Sequence, residues 1–294
     1  MDGRKRSGKS GRGSDTEPAR APGVDGGKAT QLNCAAHPAL CIEAGLCYKI
    51  AMAKPTVMAI AHRGASAIAP ENTVAAFDEA IRLGSSAVEF DVRMSADGVP
   101  VVIHDDRIDR TTNGHGRVAD FTALDLRRFD AGSWKGHRFA AARIPTLEEA
   151  LLAIADPVIP VLEIKVHVPA AVLAELLHRR NAAARAMVIS YHAELLAPLK
   201  ALLPKLKIGL LLDDWSKDPL RPALALAATT VVANVRCLTM EHVAAAHAAG
   251  LKVWCFTAND VGLVAAMAAM GVEGIITDYP DLIRSQRGWS ARTI

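Results

Sequence analysis

Long apolar runs and paired metal-binding cysteines are both missing from this sequence. No apolar stretch reaches the roughly 18 residues that a membrane-spanning helix needs, so we expect no integral membrane association. The five cysteines show no paired CxxC pattern, which argues against a zinc ribbon. We expect reduced thiols in a cytoplasmic protein. A metal held by Cys34, Cys41 and Cys47 is the alternative.

An excess of charge is also absent from most of the chain. The net charge is +3, and residues 1–50 carry all of this excess, because the rest of the chain holds 26 basic and 26 acidic residues. Nucleic acid as a main partner would require a basic face, so we expect no such partner. The composition, 51% hydrophobic with only 4% aromatic residues, is typical of a helix-rich α/β protein.

Residues 1–51 differ in composition from the rest. They are rich in Gly, Ser, Pro and charge, which predicts a disordered leader. No apolar segment follows the basic residues promptly, so a secretory signal is not expected. Because Met52 stands just before the first strand candidate, residues 1–51 could also be a mis-assigned start. We expect one catalytic domain over residues 52–294.

Short apolar runs alternate with alanine-rich helical runs from Val57 onward, which indicates parallel βαβ units. Nine runs are strand candidates: VMAIA, AVEFDV, VPVVIH, VIPVLEIKV, AMVIS, KIGLLL, TTVVAN, KVWCFT and GIIT. The second and third are too close for a parallel crossover, so they predict a hairpin around ADG. The remaining eight strands predict a (β/α)8 TIM barrel. An open doubly wound sheet is the alternative, although no glycine-rich dinucleotide fingerprint is present.

The stretch from about residue 106 to residue 142 lacks the strand–helix pattern. We therefore predict that it is a small insertion after the second strand and its hairpin, lying over one end of the barrel.

Acidic residues stand at strand ends, where barrel enzymes place their catalytic groups. Glu89 and Asp91 end the second strand run, and Glu163 ends the VLEI run. Alternate residues of a strand share a face, so Glu89 and Asp91 point the same way. Like charges held together need a cation, and oxygen ligands favour Mg²⁺ or Ca²⁺. The sequence predicts one divalent cation at these three carboxylates, with Lys165 beside it facing an anion.

Two histidines are expected at the same end of the barrel. His62 and Arg63 follow the first strand, and folding the hairpin about ADG brings His104 opposite Phe90. Two histidines beside a phosphate suit acid–base chemistry near neutral pH. Arg63 can bind phosphate oxygens in a bidentate manner.

Each residue also has a structural interpretation. A single histidine at a strand end is usually structural, and Trp254 belongs in the core unless it stacks on an apolar or polyol group. Glu71 and Asn72 are either a helix cap with its neighbour or part of the site. Purely structural roles become harder to maintain for the whole set, because seven ionisable groups at equivalent strand ends are not expected by chance.

The motifs resemble those of the glycerophosphodiester phosphodiesterase family. The resemblance rests on HRG and PENT between His62 and Thr73, on VEFDVRMSADGVPVVIHDDRIDRTTNG, and on LEIK. It continues through VWCFTAND and GVEGIITDYPD, and it covers residues 57–281. VWCFTAND departs from the family's usual Trp-Thr-Val-Asn motif, because Cys255 and Phe256 stand between Trp254 and Thr257.

The resemblance implies a metal-dependent barrel hydrolase that splits glycerophosphodiesters into glycerol 3-phosphate and an alcohol. It implies attack by the substrate's own 2-hydroxyl to give a cyclic phosphate, which water then opens. Carried over by position, the roles that it implies are these: His62 and His104 catalytic; Glu89, Asp91 and Glu163 metal ligands; Arg63, Lys165 and Trp254 substrate-binding. Asn259 corresponds to the family's Asn.

Two other functions stay open at this point. One is a phospholipase-like phosphodiesterase that acts on lysophospholipids or phosphoinositides, although such enzymes would be expected to show His-Asn in place of HRG. The other is a barrel that binds phosphodiesters without catalysis, which the presence of both histidines and all three acids opposes. An amidohydrolase is excluded, because its first strand carries His-x-His.

Overall fold

The structure, a computed structural model, describes residues 57–216 and 218–286. The leader predicted over residues 1–51 lies outside the described residues, as do Cys34, Cys41 and Cys47. Within the described part of the chain no helix is both long enough and apolar enough to cross a bilayer.

All nine predicted strands are present. They are β1 (Met58–Ala61), β2 (Ala87–Met94), β3 (Pro100–Val102), β4 (Ile159–Ile164), β5 (Met187–Ser190), β6 (Lys207–Leu212), β7 (Thr230–Asn234), β8 (Lys252–Phe256) and β9 (Gly274–Thr277). Eight of them pair in parallel, and β1 pairs with both β9 and β2, so the sheet closes on itself. The predicted eight-stranded barrel is therefore confirmed, and the open doubly wound sheet is wrong.

Helices follow the strands and cover the barrel. Their bounds are α1 (Val74–Arg82), α2 (Ala123–Leu126), α3 (Leu147–Ala153), α4 (Ala170–Arg179), α5 (Ala193–Leu202), α6 (Leu220–Ala225), α7 (Met240–Ala248), α8 (Val261–Met270) and α9 (Asp281–Gln286). Most are short alanine- and leucine-rich segments that bury one face, as α4 does through Leu173 and Leu177. This burial, rather than intrinsic helix propensity, supplies most of the stability of such short helices.

The strands alternate between two cores. Side chains on their outer faces, such as Val88 and Leu162, pack beneath the helices. Side chains on their inner faces, such as Ile60, Val161 and Trp254, fill the barrel interior. Because the side-chain period of a strand is two residues, the inner face continues from this apolar layer to the residues at the carboxyl ends. That register brings the polar residues to the mouth of the barrel.

The hairpin has the predicted register. Strand β3 runs antiparallel to β2, with Val102 opposite Val92. The backbone N–H of Ile103 donates to the carbonyl of Asp91 at 3.0 Å, so the same register continues past the end of β3. His104 therefore stands opposite Phe90, as expected, and its side chain reaches the carboxyl end of β2.

Residues 106–142, here called the insertion segment, follow the hairpin. They contain α2 and two 3₁₀ turns, Val118–Asp120 and His137–Phe139. A small apolar cluster that includes Ile108, Val118 and Leu126 packs them against the hairpin. The segment therefore has its own core and contributes side chains to the mouth of the barrel.

Gly64 is required where the loop after β1 touches α1. Its φ is +83°, and a Cβ built on it would lie 2.6 Å from the carbonyl carbon of Ala76. The neighbouring Ala65 N–H donates to the Ala76 carbonyl at 2.9 Å, which holds the two backbones together. Only glycine meets both conditions, and the loop that carries His62 and Arg63 depends on it.

We expect Gly64→Ala to destabilise the protein far more than Gly98→Ala. Gly98 has a similar φ of +76° but nothing within 4 Å of its Cβ position. The control variant therefore loses only the roughly 1–2 kcal/mol of left-handed backbone strain. Gly64→Ala adds a steric clash with the backbone of Ala76, and overpacking of this kind typically lowers the folding stability by about 1–3 kcal/mol more. Denaturant unfolding of both variants measures the difference, and equal losses would contradict the close approach described here.

Candidate active site

Three carboxylates meet at the mouth of the barrel. Glu89 and Asp91 project from β2, and Glu163 projects from the adjacent β4, where it is paired in register with Asp91. One oxygen from each lies within 4.8 Å of the others, and all three residues are buried. This arrangement follows from strand geometry, because inner-face residues at neighbouring strand ends must converge.

Glu89 has an incomplete set of partners. Its Oε2 accepts a hydrogen bond from the backbone N–H of Arg63 at 2.9 Å. Its Oε1 is buried and has no hydrogen-bond partner among the residues that the structure describes. Burial, together with repulsion from Asp91 and Glu163, raises the pKa of Glu89 well above its usual value. A buried carboxylate oxygen without a partner is costly, and a cation would remove that cost.

Asp91 is the most strongly bonded of the three acids. Asn72 Nδ2 donates to it at 2.7 Å, and the Nζ atom of Lys165 lies 3.1 Å away. Burial opposes ionisation, but Lys165 and Arg63 outweigh it and lower the pKa of Asp91 to about 2. Asp91 is therefore ionised at neutral pH.

Lys165 lies between two of the acids. Its Nζ donates to Glu163 at 2.5 Å, in addition to its contact with Asp91. Although burial works against its charge, both carboxylates raise the pKa of Lys165. The pKa of Glu163 is nevertheless raised, because burial and the Asp91 charge outweigh the lysine. One ammonium group therefore does not neutralise the three carboxylates.

Each of the two histidines is held by an aspartate. His62 Nδ1 lies 2.6 Å from Asp278 Oδ1, and His104 Nδ1 lies 2.7 Å from Asp105 Oδ1. The pKa values of both aspartates are lowered, that of Asp278 to about 2, so both are ionised acceptors at neutral pH. Nδ1 must then be the protonated nitrogen of each imidazole. The Nε2 atoms are left for the cavity.

The pKa of His104 lies below its ordinary value. Burial is the largest cause, and it outweighs the attraction of Asp91 for a charged imidazole. Arg93 Nε donates to the backbone carbonyl of His104 at 2.8 Å and so fixes its position at the end of the hairpin. His104 is accordingly a neutral imidazole near pH 7, with one nitrogen able to accept a proton.

Arg63 adopts a left-handed conformation, with φ of +56°. This conformation directs its backbone N–H at Glu89 and its guanidinium towards Glu71 and Asp91. Nη1 donates to Glu71 at 2.8 Å, and Nε lies 3.3 Å from Asp91. Such strain in a non-glycine residue persists only where surrounding contacts hold it. The guanidinium is thus fixed beside the acids, with Nη2 uncommitted among the described residues.

Glu71 and Arg110 connect the two histidine-bearing loops. Arg110, from the insertion segment, donates to both oxygens of Glu71 at 2.7 and 2.8 Å. It also donates to Asp105, the partner of His104. Arg63 and His104 are therefore held by one continuous chain of ion pairs, although they follow different strands, β1 and β3.

The structure corrects the expectation for the start of α1. Thr73, not Asn72, is the N-cap, because its hydroxyl accepts from the N–H of Ala76. Asn72 instead has a φ of +58°, donates to Asp91 and accepts from the Asp91 backbone N–H at 3.1 Å. Of the two interpretations offered for Asn72, the site role is the one that its contacts support.

A cavity opens above the carboxylates, and we call it the first lobe. It has a volume of about 350 Å³ and is lined by both histidines, Arg63, Glu163 and Lys165 among others. Six of the seven ionisable residues predicted for the site line it, and the seventh, Asp91, contacts the lining residue Lys165 at 3.1 Å.

Trp254 is not brought to the cavity with the others. It is buried in the apolar layer of the barrel interior, with 5% of its surface exposed. Phe256, the next inner-face residue of β8, lines the first lobe instead. Phe256 also packs edge-on against Tyr191, with ring centroids 6.3 Å apart. The two residues that separate Trp254 from Thr257 in this chain therefore place a phenyl ring at the rim.

A second lobe of about 540 Å³ lies on the other side of His62 and Arg63, which line both lobes. Its wall includes Trp134 and Lys135 from the insertion segment and Tyr279 from the loop after β9. The walls of the two lobes therefore share one histidine and one arginine.

Several polar residues of the site were not found from the sequence. Asp278 follows β9 and binds His62, and Asn259 Nδ2 donates to it at 2.5 Å. Asp105 and Arg110 lie in the hairpin end and the insertion segment. The position of Asp278 at a strand end was an available signal, whereas nothing local marked Arg110.

The acidic residues fit a hard divalent cation. All three donors are carboxylate oxygens, the ligand type that Mg²⁺ and Ca²⁺ prefer, and Glu89 Oε1 has no hydrogen-bond partner within residues 57–216 and 218–286. Around them stand a fixed guanidinium, an ammonium and two imidazoles with oriented nitrogens. This set can bind an anion, neutralise added negative charge and transfer protons on two sides of it.

Comparison with known proteins gives one consistent result. Residues 62–282 match the glycerophosphoryl diester phosphodiesterase family. A glycerophosphodiester phosphodiesterase of Caldanaerobacter subterraneus is 38% identical over 232 residues, which is 77% of this chain and 96% of that protein. One from Bacillus altitudinis is 32% identical over 237 residues, covering 75% of this chain and 94% of the relative.

A solved structure agrees with these relatives. A phosphodiesterase of Oleispira antarctica, determined in complex with its product sn-glycerol-3-phosphate, superposes with a TM-score of 0.75 and 32% sequence identity. The match covers 79% of this chain and 97% of that structure.

We expect Glu89→Gln to raise the melting temperature in the presence of a chelator. An acid whose pKa is raised by folding destabilises the folded protein once the pH exceeds its unfolded pKa of about 4.3. The gain should therefore be small near pH 4 and increase towards pH 8. Each kcal/mol corresponds to about 2–4 °C for a domain of this size. Scanning calorimetry across pH measures it, with exposed Glu194→Gln as the control.

A Glu89→Gln variant that is less stable than the parent at pH 8 under chelation would show that repulsion among the three acids is not significant.

Proposed function

The chain belongs to the glycerophosphoryl diester phosphodiesterase family, and on that premise we propose that it hydrolyses glycerophosphodiesters to glycerol 3-phosphate and an alcohol with the help of one divalent cation. The observation that carries this proposal is the meeting of three buried carboxylates and two aspartate-held histidines at one cavity. Mg²⁺ and Ca²⁺ are both suitable cations for such a set.

Glu89, Asp91 and Glu163 would hold the cation. When bound, it would supply positive charge next to the phosphate and so favour the build-up of negative charge on the phosphoryl oxygens. The unpartnered Oε1 of Glu89 and the raised pKa values of Glu89 and Glu163 support this assignment.

Arg63 and Lys165 would bind the phosphate of the substrate. Both line the first lobe, and both are positioned by the acids rather than by the substrate. Preorganised cations need little rearrangement when the phosphate gains charge in the transition state. We assign the apolar wall beside the glycerol to Phe256, which lines the lobe, in place of Trp254.

The substrate's 2-hydroxyl is the proposed first nucleophile. His104 Nε2 removes its proton, the new O–P bond closes a five-membered cyclic phosphate, and the bond from phosphorus to the alcohol breaks. His62 Nε2 donates a proton to the leaving oxygen. Water then opens the ring in the second step: His62 takes the proton of water, and His104 returns its proton to the 2-oxygen. Attack from within the substrate avoids the entropy cost of ordering a separate nucleophile.

The cavity supports this division between the histidines. His104, neutral because of its lowered pKa, lines the first lobe and suits the base. His62 lines both lobes, and its Nδ1 is held 2.6 Å from Asp278 Oδ1, which suits a fixed imidazole whose Nε2 faces the leaving oxygen. A leaving alcohol in the second lobe would therefore depart next to His62.

The proposed function is tested with glycerophosphoglycerol and phosphorus NMR. With Mg²⁺ or Ca²⁺ we expect a transient cyclic phosphate signal followed by glycerol 3-phosphate, because the 2-hydroxyl attacks first. Chelation after dialysis should stop both, and restoring the cation should recover them. The same assay with lysophospholipids and phosphoinositides tests the alternative function named under Sequence analysis. Full turnover in excess chelator would contradict cation dependence, and cleavage of a 2-deoxy diester at a normal rate would contradict internal attack.

The two histidines should respond differently to the leaving group. On the natural diester, His62→Ala and His104→Ala should each lose about 10²–10⁴-fold in kcat. A nitrophenol leaving group needs no protonation, so a glycerol nitrophenyl phosphodiester should restore most activity to His62→Ala but not to His104→Ala. Initial rates of both variants on both substrates measure this, with exposed His115→Ala as the control. Rescue of His104→Ala alone would reverse the assignment.

A further inference from the structure

Trp134 and Lys135, on the wall of the second lobe, have no role in the reaction described so far. We propose that the second lobe binds the leaving alcohol, and that Lys135 and Trp134 make it selective for hydroxyl-rich alcohols over those with a quaternary ammonium group. This inference rests on the proposed function and adds the class of substrate.

The position of the lobe follows from the shape of the substrate. A phosphodiester carries two alcohols on one phosphate, and His62 and Arg63 stand on the walls of both lobes. The first lobe contains the carboxylates and His104, which the glycerol phosphate part requires in every substrate. The second lobe is larger, and the insertion segment and surface loops form much of its wall. It suits the part of the substrate that varies.

The carboxylates on the wall of the second lobe are already committed. Asp278 Oδ1 accepts from His62 and Ser66, and its Oδ2 accepts from Asn259. Glu71 Oε1 accepts from Arg63, and both of its oxygens accept from Arg110. Every oxygen of the two acids therefore already accepts a hydrogen bond from the protein, and a cationic alcohol would have to compete with these partners.

The Lys135 ammonium, by contrast, has no acidic partner among the described residues. Its Nζ donates to the backbone carbonyl of Ser66 at 2.7 Å, and it lies 5.7 Å from the centre of the Trp134 ring. One of its three N–H donors is used, so others are available to ligand oxygens. A quaternary ammonium group would be repelled here and would compete with Lys135 for the indole. Hydroxyl groups would accept its hydrogen bonds.

Trp134 offers a fixed apolar surface next to that donor. Its Nε1 donates to the Ala131 carbonyl at 3.0 Å, which sets the orientation of the ring, and the side chain remains 42% exposed. A ring held in place while open to solvent can cover the C–H face of a polyol at little entropic cost. Together the two residues provide a stacking surface with an adjacent donor.

The experiment compares kcat/KM for glycerophosphoglycerol and glycerophosphocholine. We expect the parent protein to prefer the glycerol compound by about tenfold or more, the factor that one charged hydrogen bond supplies. Lys135→Met should reduce that ratio by about tenfold, mainly through the glycerol compound. Lys135→Arg should keep most of the ratio, since it retains the charge and the donors. Exposed Lys205→Met is the matched control and should leave both values unchanged.

The outcomes separate this inference from the function on which it rests. Equal losses on both substrates in Lys135→Met would show that Lys135 only positions the loop through Ser66, and would overturn the inference. A preference of the parent protein for the choline compound would also overturn it, while glycerol 3-phosphate release would still uphold the proposed function. If no diester is cleaved by the parent protein, the proposed function fails and this inference fails with it. Melting temperatures of the variants confirm that each is folded.

Discussion

The burial of three like charges at one end of the barrel is the constraint on which the rest of the site depends. Glu89, Asp91 and Glu163 cannot share a buried region without positive charge nearby, because desolvation and mutual repulsion both oppose ionisation. Lys165 and Arg63 supply positive charge beside the three acids. They keep Asp91 ionised, but the pKa values of Glu89 and Glu163 stay raised. The three carboxylates therefore still lack positive charge nearby, and this makes them suitable ligands for a divalent cation.

The loop after β1 is the part of the backbone that this constraint shapes most strongly. Arg63 and Asn72 both take left-handed conformations, and both direct backbone or amide groups at the acids of β2. Gly64 between them allows the loop to touch α1. Strain in this loop is therefore offset by hydrogen bonds to carboxylates, which are stronger than those to neutral acceptors.

The insertion segment joins the loops that carry the two histidines across the barrel mouth. Arg110 links Glu71, and through it Arg63, to Asp105, the partner of His104. Lys135 links the segment to the carbonyl of Ser66, in the loop that carries His62. The same segment thus fixes the histidine environments and forms a wall of the second lobe. The proposed substrate preference and the proposed catalytic geometry therefore depend on the same segment.

The sequence by itself determined the barrel, the hairpin and most of the charged site. Strand periodicity places Glu89 and Asp91 on one face, and the short ADG connection fixes the pairing of His104 with Phe90, because both are consequences of local geometry. Only the tertiary structure decided which partners these groups have. Asp278 and His62 are 216 residues apart, and Arg110 and Glu71 are 39 apart, so no local pattern relates them. The tertiary structure also decided that Trp254 is in the core and Phe256 at the rim. Which inner-face residue of a strand reaches the cavity depends on the register of that strand with its neighbours.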